Sequence, residues 1–127
     1  MTTDALNRII RAINKEPFTV MSKWVRVSLP GLRTHDVSWA LIHDTVRFSS
    51  TVAADDSFET DRARVEYIAS QNAGMPGVRA VIEGGRVKAY CDLPAIGLTK
   101  TELESAILLC AREADRMEMG LTGEDEF

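Results

Sequence analysis

Two His-Asp pairs, His35-Asp36 and His43-Asp44, are the residues of this chain that most invite a chemical reading. An imidazole held by a carboxylate beside a nucleophile is the machinery of general acid–base catalysis. These pairs lack its geometry, because neighbours in sequence do not orient one another across a site as the members of a triad do. His43-Asp44 separates two apolar runs and reads as a two-residue turn, while His35 falls in the irregular stretch PGLRTHD and reads as a solvated loop residue. The two cysteines, Cys91 and Cys110, fall on faces that should point inward, where a thiol is a small hydrophobe. They could approach each other across a helix–sheet interface, but a disulfide needs Cα atoms within about 7 Å, which spacing along a chain does not decide. With the two histidines they show none of the short paired spacings of a zinc site. EGGR lacks the GK[ST] ending and following helix of a phosphate loop and suits a hairpin turn better. DDSFETD groups four acids without EF-hand spacing and serves more simply as charge at a helix N-terminus. Arg62, Arg64 and Arg79 are scattered and read as solvated. The expectation is therefore no catalytic residue, no cofactor-binding residue and no metal ligand: not an enzyme.

The totals narrow the choice further. With 127 residues, 45% apolar and 27% charged, the chain has the size and texture of one folded domain that buries its own core. A formal net charge of −4 and the lack of any basic run exclude capture of nucleic acid by counterion release. No segment approaches the roughly 18 consecutive apolar residues of a membrane-spanning helix. The opening MTTDALNRIIRAINK interrupts its apolar positions with Asp4, Arg8 and Arg11 and does not read as a signal peptide. Two thiols in that context point to a reducing compartment, the cytoplasm.

Any site must be positioned by elements that the hydrophobic pattern predicts. Leu6, Ile9, Ile10 and Ile13 mark a first helix from Asp4 to Lys15, capped by Thr3 and stopped before Pro17. WVRVSL alternates, with Val25, Val27 and Leu29 on one face and Trp24, Arg26 and Ser28 on the other. In VSWALIHDTVRFSSTV a turn at His43-Asp44 sets Leu41 opposite Val46, Trp39 opposite Phe48 and Val37 opposite Ser50, all on one face. A second, more polar helix follows with Ser57 as its cap and a modest stripe of Val65, Ile68 and Ala69. VRAVIEGGRVKAYCDL folds about Gly84-Gly85, with Glu83 facing Arg86, Ile82 facing Val87, Ala80 facing Ala89 and Val78 facing Cys91. Thr99 and Glu102 then form a capping box for a last helix that Gly120 should end, leaving residues 121–127 as a frayed acidic tail. The fold class is α+β in the order α-β-β-β-α-β-β-α, a five-stranded antiparallel sheet with one covered face, within a single domain of residues 1–120.

The last helix is more apolar than one buried stripe requires. At about 100° per residue, Leu103, Ala106, Ile107, Cys110, Ala114 and Met117 share the side that should cover the sheet. Leu108 and Met119 fall on the far side with Arg112 and Asp115, and Leu109 on a flank. One exposed leucine needs no explanation, but several together suggest a second surface. The expected contact residues for a partner or a second copy are therefore Leu108, Leu109, Arg112 and Met119. Trp24 joins them, as a residue that either fills a covered pocket or stands out as an anchor.

The order of elements, carried by VSWALIHDTVRFSSTV and by YIASQNAGMPGVRAVIEGGRVKAYCDLPAIGLTKTELESAI, resembles the YbjN family and its type III secretion chaperone-like fold. That resemblance implies a sheet flanked by helices, often dimeric. It also implies work by protein–protein contact: clients bound as extended segments, or a regulatory part in stress or sensory responses. The reading is a non-enzymatic interaction module, homodimeric and with an unidentified protein client. A small-ligand sensor, a thiol- or histidine-dependent enzyme and a fixed subunit of a larger assembly are the rivals.

Overall fold

Both predicted hairpins form. In the computed structural model, which describes residues 1–122 (Asp55 and Thr122 by backbone alone), β3 (Arg33–Ile42) pairs with β4 (Thr45–Ala54). The register sets Leu41 against Val46, Trp39 against Phe48 and Ala40 against Arg47. His43 accepts a φ of 55° in the turn. Its neighbour hairpin joins β5 (Arg79–Glu83) to β6 (Arg86–Pro94), with Ile82 against Val87 and Ala80 against Ala89. Gly84 and Gly85 both take positive φ there, the conformation a primed turn demands and a Cβ resists. β4 and β6 pair directly, which fuses the two hairpins, with Phe48 beside Cys91 and Arg47 beside Asp92.

The sheet has six antiparallel strands rather than five, in the order β1-β2-β3-β4-β6-β5. The added one is β1 (Phe18–Val20), which edges β2 (Trp24–Leu29). Three residues are too few to display the alternation that marks a strand. β2 itself buries Val25, Val27 and Leu29 and turns Trp24, Arg26 and Ser28 the other way, as expected.

One face of the sheet is covered. Across it lies α3 (Lys100–Thr122), flanked by α1 (Thr3–Arg11). Leu103, Ala106, Ile107, Cys110, Ala114 and Met117 of α3 are all buried, with Leu6 and Ile10 of α1 and Val37, Val46, Phe48, Val87 and Ala89 of the sheet. Each large side chain so buried contributes about 1.5–3 kcal/mol. Thr99 and Glu102 exchange the predicted capping-box bonds at 3.1 and 3.2 Å. The other face is polar and carries cross-strand ion pairs, Arg26–Asp36 and Arg47–Asp92, each at 2.9 Å.

Several local expectations are corrected. Thr2, not Thr3, caps α1, which ends at Arg11 instead of Lys15. Thr60, not Ser57, caps α2 (Asp61–Gly74), because Ser57 belongs to a 3-10 turn that precedes it. Val65 is 64% exposed, and the side of α2 that meets the rest of the molecule is Tyr67 and Ile68, with the Tyr67 ring 5.3 Å from that of Phe58. Gly120 does not end α3, which continues to Thr122; residues 123–127 of the expected tail lie outside the described residues. His35 is not a solvated loop residue but a fully buried one in β3, and Asp115 is buried rather than grouped with Leu108 on the far side of the helix.

Candidate protein-interaction surface

The outward side of α3 is a polar ridge between two grooves. Thr101, Ser105, Arg112, Arg116 and Met119 form its exposed crest. Leu108 and Leu109 sit on opposite shoulders, half-buried and packed against the core. The surplus leucines are thus neither buried nor isolated in water: each lines one wall of a groove.

The groove on the Leu108 side is lined by Lys15, Phe18, Thr101, Glu104, Ser105 and Leu108, with a volume of about 190 Å³. Phe18 comes from β1, so this groove adjoins the free edge of the sheet. Pairing there leaves backbone groups available. The Ser28 N–H donates to the Pro17 carbonyl and the Met21 N–H to that of Trp24, at 3.0 and 2.8 Å. In an antiparallel ladder this aims Thr19 at β2 and turns the backbone groups of Phe18 and Val20 outward. The Phe18 N–H is used by the Lys15 carbonyl at 3.0 Å. What remains is a short strand edge beside an apolar wall, with Lys15 paired to Glu104 at the rim.

The groove on the Leu109 side runs between α3 and β6 and holds about 330 Å³. Cys91, Leu93, Ala106 and Leu109 make it largely apolar. Gly77 closes one end, where the Leu109 side chain passes close enough that a Cβ at Gly77 would lie 3.5 Å from it.

Trp24 lies elsewhere, half-buried on the open face of the sheet. It walls a depression of about 270 Å³ floored by Ser38, Ser49 and Thr51, with Asp36 and Lys88 at its sides. Its indole N–H is buried and finds no hydrogen-bond partner among the described residues. The five expected contact residues therefore divide: Leu108 and Leu109 shoulder the two grooves, Arg112 and Met119 stand exposed on the crest, and Trp24 belongs to a different face. Phe18 was not expected, and only its place in an unpredicted strand brings it to Leu108.

The thiol that lines the Leu109 groove is suppressed by its surroundings. Burial pushes the Cys91 thiol up to about 11, with the Asp92 carboxylate adding to the effect. Cys110 is raised further by burial and then by Cys91. The thiolate is the nucleophile, so both are held inert. Native protein should accordingly react with a disulfide reagent such as DTNB at pH 8 about a hundredfold more slowly than the urea-unfolded chain, in proportion to its thiolate. A fast-reacting equivalent in the native state would contradict this. On the open face, hydrogen bonding to Arg47 holds Asp92 below the usual carboxylate range. Tyr90 is raised by burial and by donating to Glu83, with the Arg47 guanidinium 4.6 Å above its ring.

The buried polar residues His35, Ser50, Asp115 and Glu118 form a separate cluster under the C-terminal half of α3. His35 Nε2 lies 3.3 Å from Glu118 Oε1 and 3.5 Å from Asp115 Oδ1. Arg33 Nε donates to both Asp115 oxygens, at 2.9 and 3.0 Å. The spacing of β3 carried a signal for this: His35 has the same strand parity as Val37 and Trp39, which face inward.

No family model matches the sequence, and no curated protein is detectably similar to it. Solved structures are similar in fold. The ExsC–ExsE complex matches with a TM-score of 0.63 at 14% identity, over 94% of this chain and 95% of that one. YbjN from E. coli matches with a TM-score of 0.59 at 14% identity, over 94% and 92%. The Yersinia pestis type III secretion chaperone SycH, solved in complex with a stable fragment of YscM2, matches with a TM-score of 0.50 at 11% identity, over 94% and 98%. The chain has the fold of YbjN and of the type III secretion chaperone SycH, as the order of its elements implied. Among the described residues no helix is long and apolar enough to cross a membrane.

Proposed function

We propose that the chain is a non-enzymatic, chaperone-like module that binds an extended segment of a client protein along the Leu108 groove and the β1 edge. The observation that carries this reading is the juxtaposition of an apolar wall, Phe18 and Leu108, with the outward backbone of Phe18 and Val20. Adding a strand at such an edge supplies main-chain hydrogen bonds, while alternate side chains of the added strand drop into the groove and select the sequence. Structural neighbours of the same fold support it, since SycH was solved with a protein fragment bound. A regulatory part in stress or sensory responses belongs to the same proposal, supported by the likeness in fold to YbjN. The two free, buried cysteines suit the cytoplasm.

We also propose homodimerisation, through the crest residues Arg112 and Met119 and the far shoulder of Leu109, which leaves the Leu108 groove to the client. Trp24 would serve as a secondary anchor on the open face. Light scattering across a thousandfold concentration range tests the dimer: a constant monomer mass removes it without touching the groove.

Affinity capture from the native host tests the groove. Leu108→Glu buries a charge against Phe18, and Val20→Pro deletes the outward N–H. Each should weaken retention of the same discrete protein about tenfold or more, corresponding to a loss of roughly 1.4 kcal/mol. An exposed control, Lys23→Ala, should leave it unchanged. Equal capture by all four proteins would remove the groove from consideration.

A further inference from the structure

The buried cluster beneath α3 has contacts that bear on its protonation state. Ser50 has a single hydroxyl hydrogen, and its Oγ donates to the Asp36 carbonyl at 2.9 Å. Toward His35 Nδ1, 3.5 Å away, Ser50 Oγ is therefore left as an acceptor, so Nδ1 carries a hydrogen. On the other side of the ring, Nε2 faces carboxylate oxygens of Asp115 and Glu118 at 3.5 and 3.3 Å. As ionised carboxylates both are acceptors only, and Nε2 then carries a hydrogen too. A ring with both nitrogens protonated is an imidazolium.

Charge points the same way. Asp115 and Glu118 are one helical turn apart on α3 and both buried, Glu118 completely. Two carboxylates so placed repel, and each loses its hydration. Arg33 on β3 offsets one of them through Asp115. A cationic His35 stands at ion-pair distance from both carboxylates.

We infer that His35 is a buried imidazolium which locks the C-terminal half of α3 onto β3, and that loss of its proton in alkali releases this half of the helix. The sign follows from linkage. A fold that favours the protonated ring keeps the full contribution below the unfolded-state value, about 6.5, and loses it as pH rises through the folded-state value. On the acid side the lock fails when Asp115 or Glu118 takes a proton. A divalent cation is the competing occupant, since ligand atoms of His35, Asp115 and Glu118 all lie within 4.8 Å of one another. Arg33 opposes that use: its guanidinium already holds both Asp115 oxygens and would stand against the ion.

Long-range 15N–1H correlation of the imidazole nitrogens in the full chain reads the state directly. Both nitrogens of His35 should appear protonated at pH 7. Half-deprotonation should need a proton concentration at least about tenfold lower than in the urea-unfolded chain. As the ring deprotonates, backbone amides from Asp115 onward should lose exchange protection before those of Leu103–Cys110. A bare nitrogen on His35 at pH 7, or uniform protection of α3 across the titration, would overturn the inference. Zn2+ added to chelator-treated protein is the second arm. No change in melting temperature is expected, and a stabilised protein with a metallated His35 nitrogen would establish a metal site in place of the lock. The variant His35→Gln, where it folds, should abolish the alkaline release; retention of it would also overturn the inference.

Discussion

Phe48→Ala should cost about 3–5 kcal/mol of stability, a large part of what a domain of this size possesses. Phe48 is the largest fully buried side chain among the described residues. It stands on β4, the strand at the junction of the two hairpins, with Trp39 across on β3 and Cys91 across on β6. Removing the ring forfeits its transfer free energy and leaves a void that three paired strands are too constrained to close. Equilibrium urea unfolding should show the midpoint falling by about 2–3 M with the slope unchanged. A shift under about 0.5 M would mean that the core repacks around the loss and that the sheet is less rigid than its pairing implies.

Arg33→Met should rank second, at about 3 kcal/mol, the lower end for a broken buried pair because the guanidinium itself keeps some contact with water. The loss is not the contact alone. It strands the buried Asp115 carboxylate without its bidentate guanidinium, with the buried Glu118 carboxylate one helical turn away. Pairing the change with Asp115→Asn should therefore restore most of the stability, since an amide needs no countercharge. The double-mutant cycle measured by urea unfolding checks this: a coupling energy near zero would show that Arg33 and Asp115 act independently.

Much of the architecture was legible because two signals agreed. In each hairpin the turn chemistry and the alternation of apolar residues specify the same register, so Trp39 meets Phe48 and Ile82 meets Val87 as the pattern requires. The covering face of α3 was equally plain from Leu103, Ile107, Cys110 and Met117. β1 escaped because periodicity needs length, and Phe18–Val20 has none to spare. With β1 unseen, the Leu108 groove had only one visible wall.

The polar cluster was misread for a different reason. A histidine beside Pro-Gly punctuation invites a loop assignment, and a buried carboxylate contradicts the usual preference of acids for water. Glu118 lies within about 60° of the Leu103 line on α3, and His35 shares the parity of Val37. Those positions were readable; that the two would meet in one cluster was a tertiary fact. Met119 and Arg112 are exposed as their helical angles demand.

α2 has a further consequence. This fourteen-residue helix has no fully buried side chain. Its ties include the Asn72 side chain, which donates to the Ala80 carbonyl and accepts from the Ala80 N–H, the Phe58–Tyr67 ring contact, Ile68 against the core, and Arg116 reaching Gln71. Selection for folding therefore has little grip on most of its positions. Residues such as Arg62, Val65, Glu66 and Ala69 are free to drift, or to be recruited to new work, while the six strands behind them stay the same.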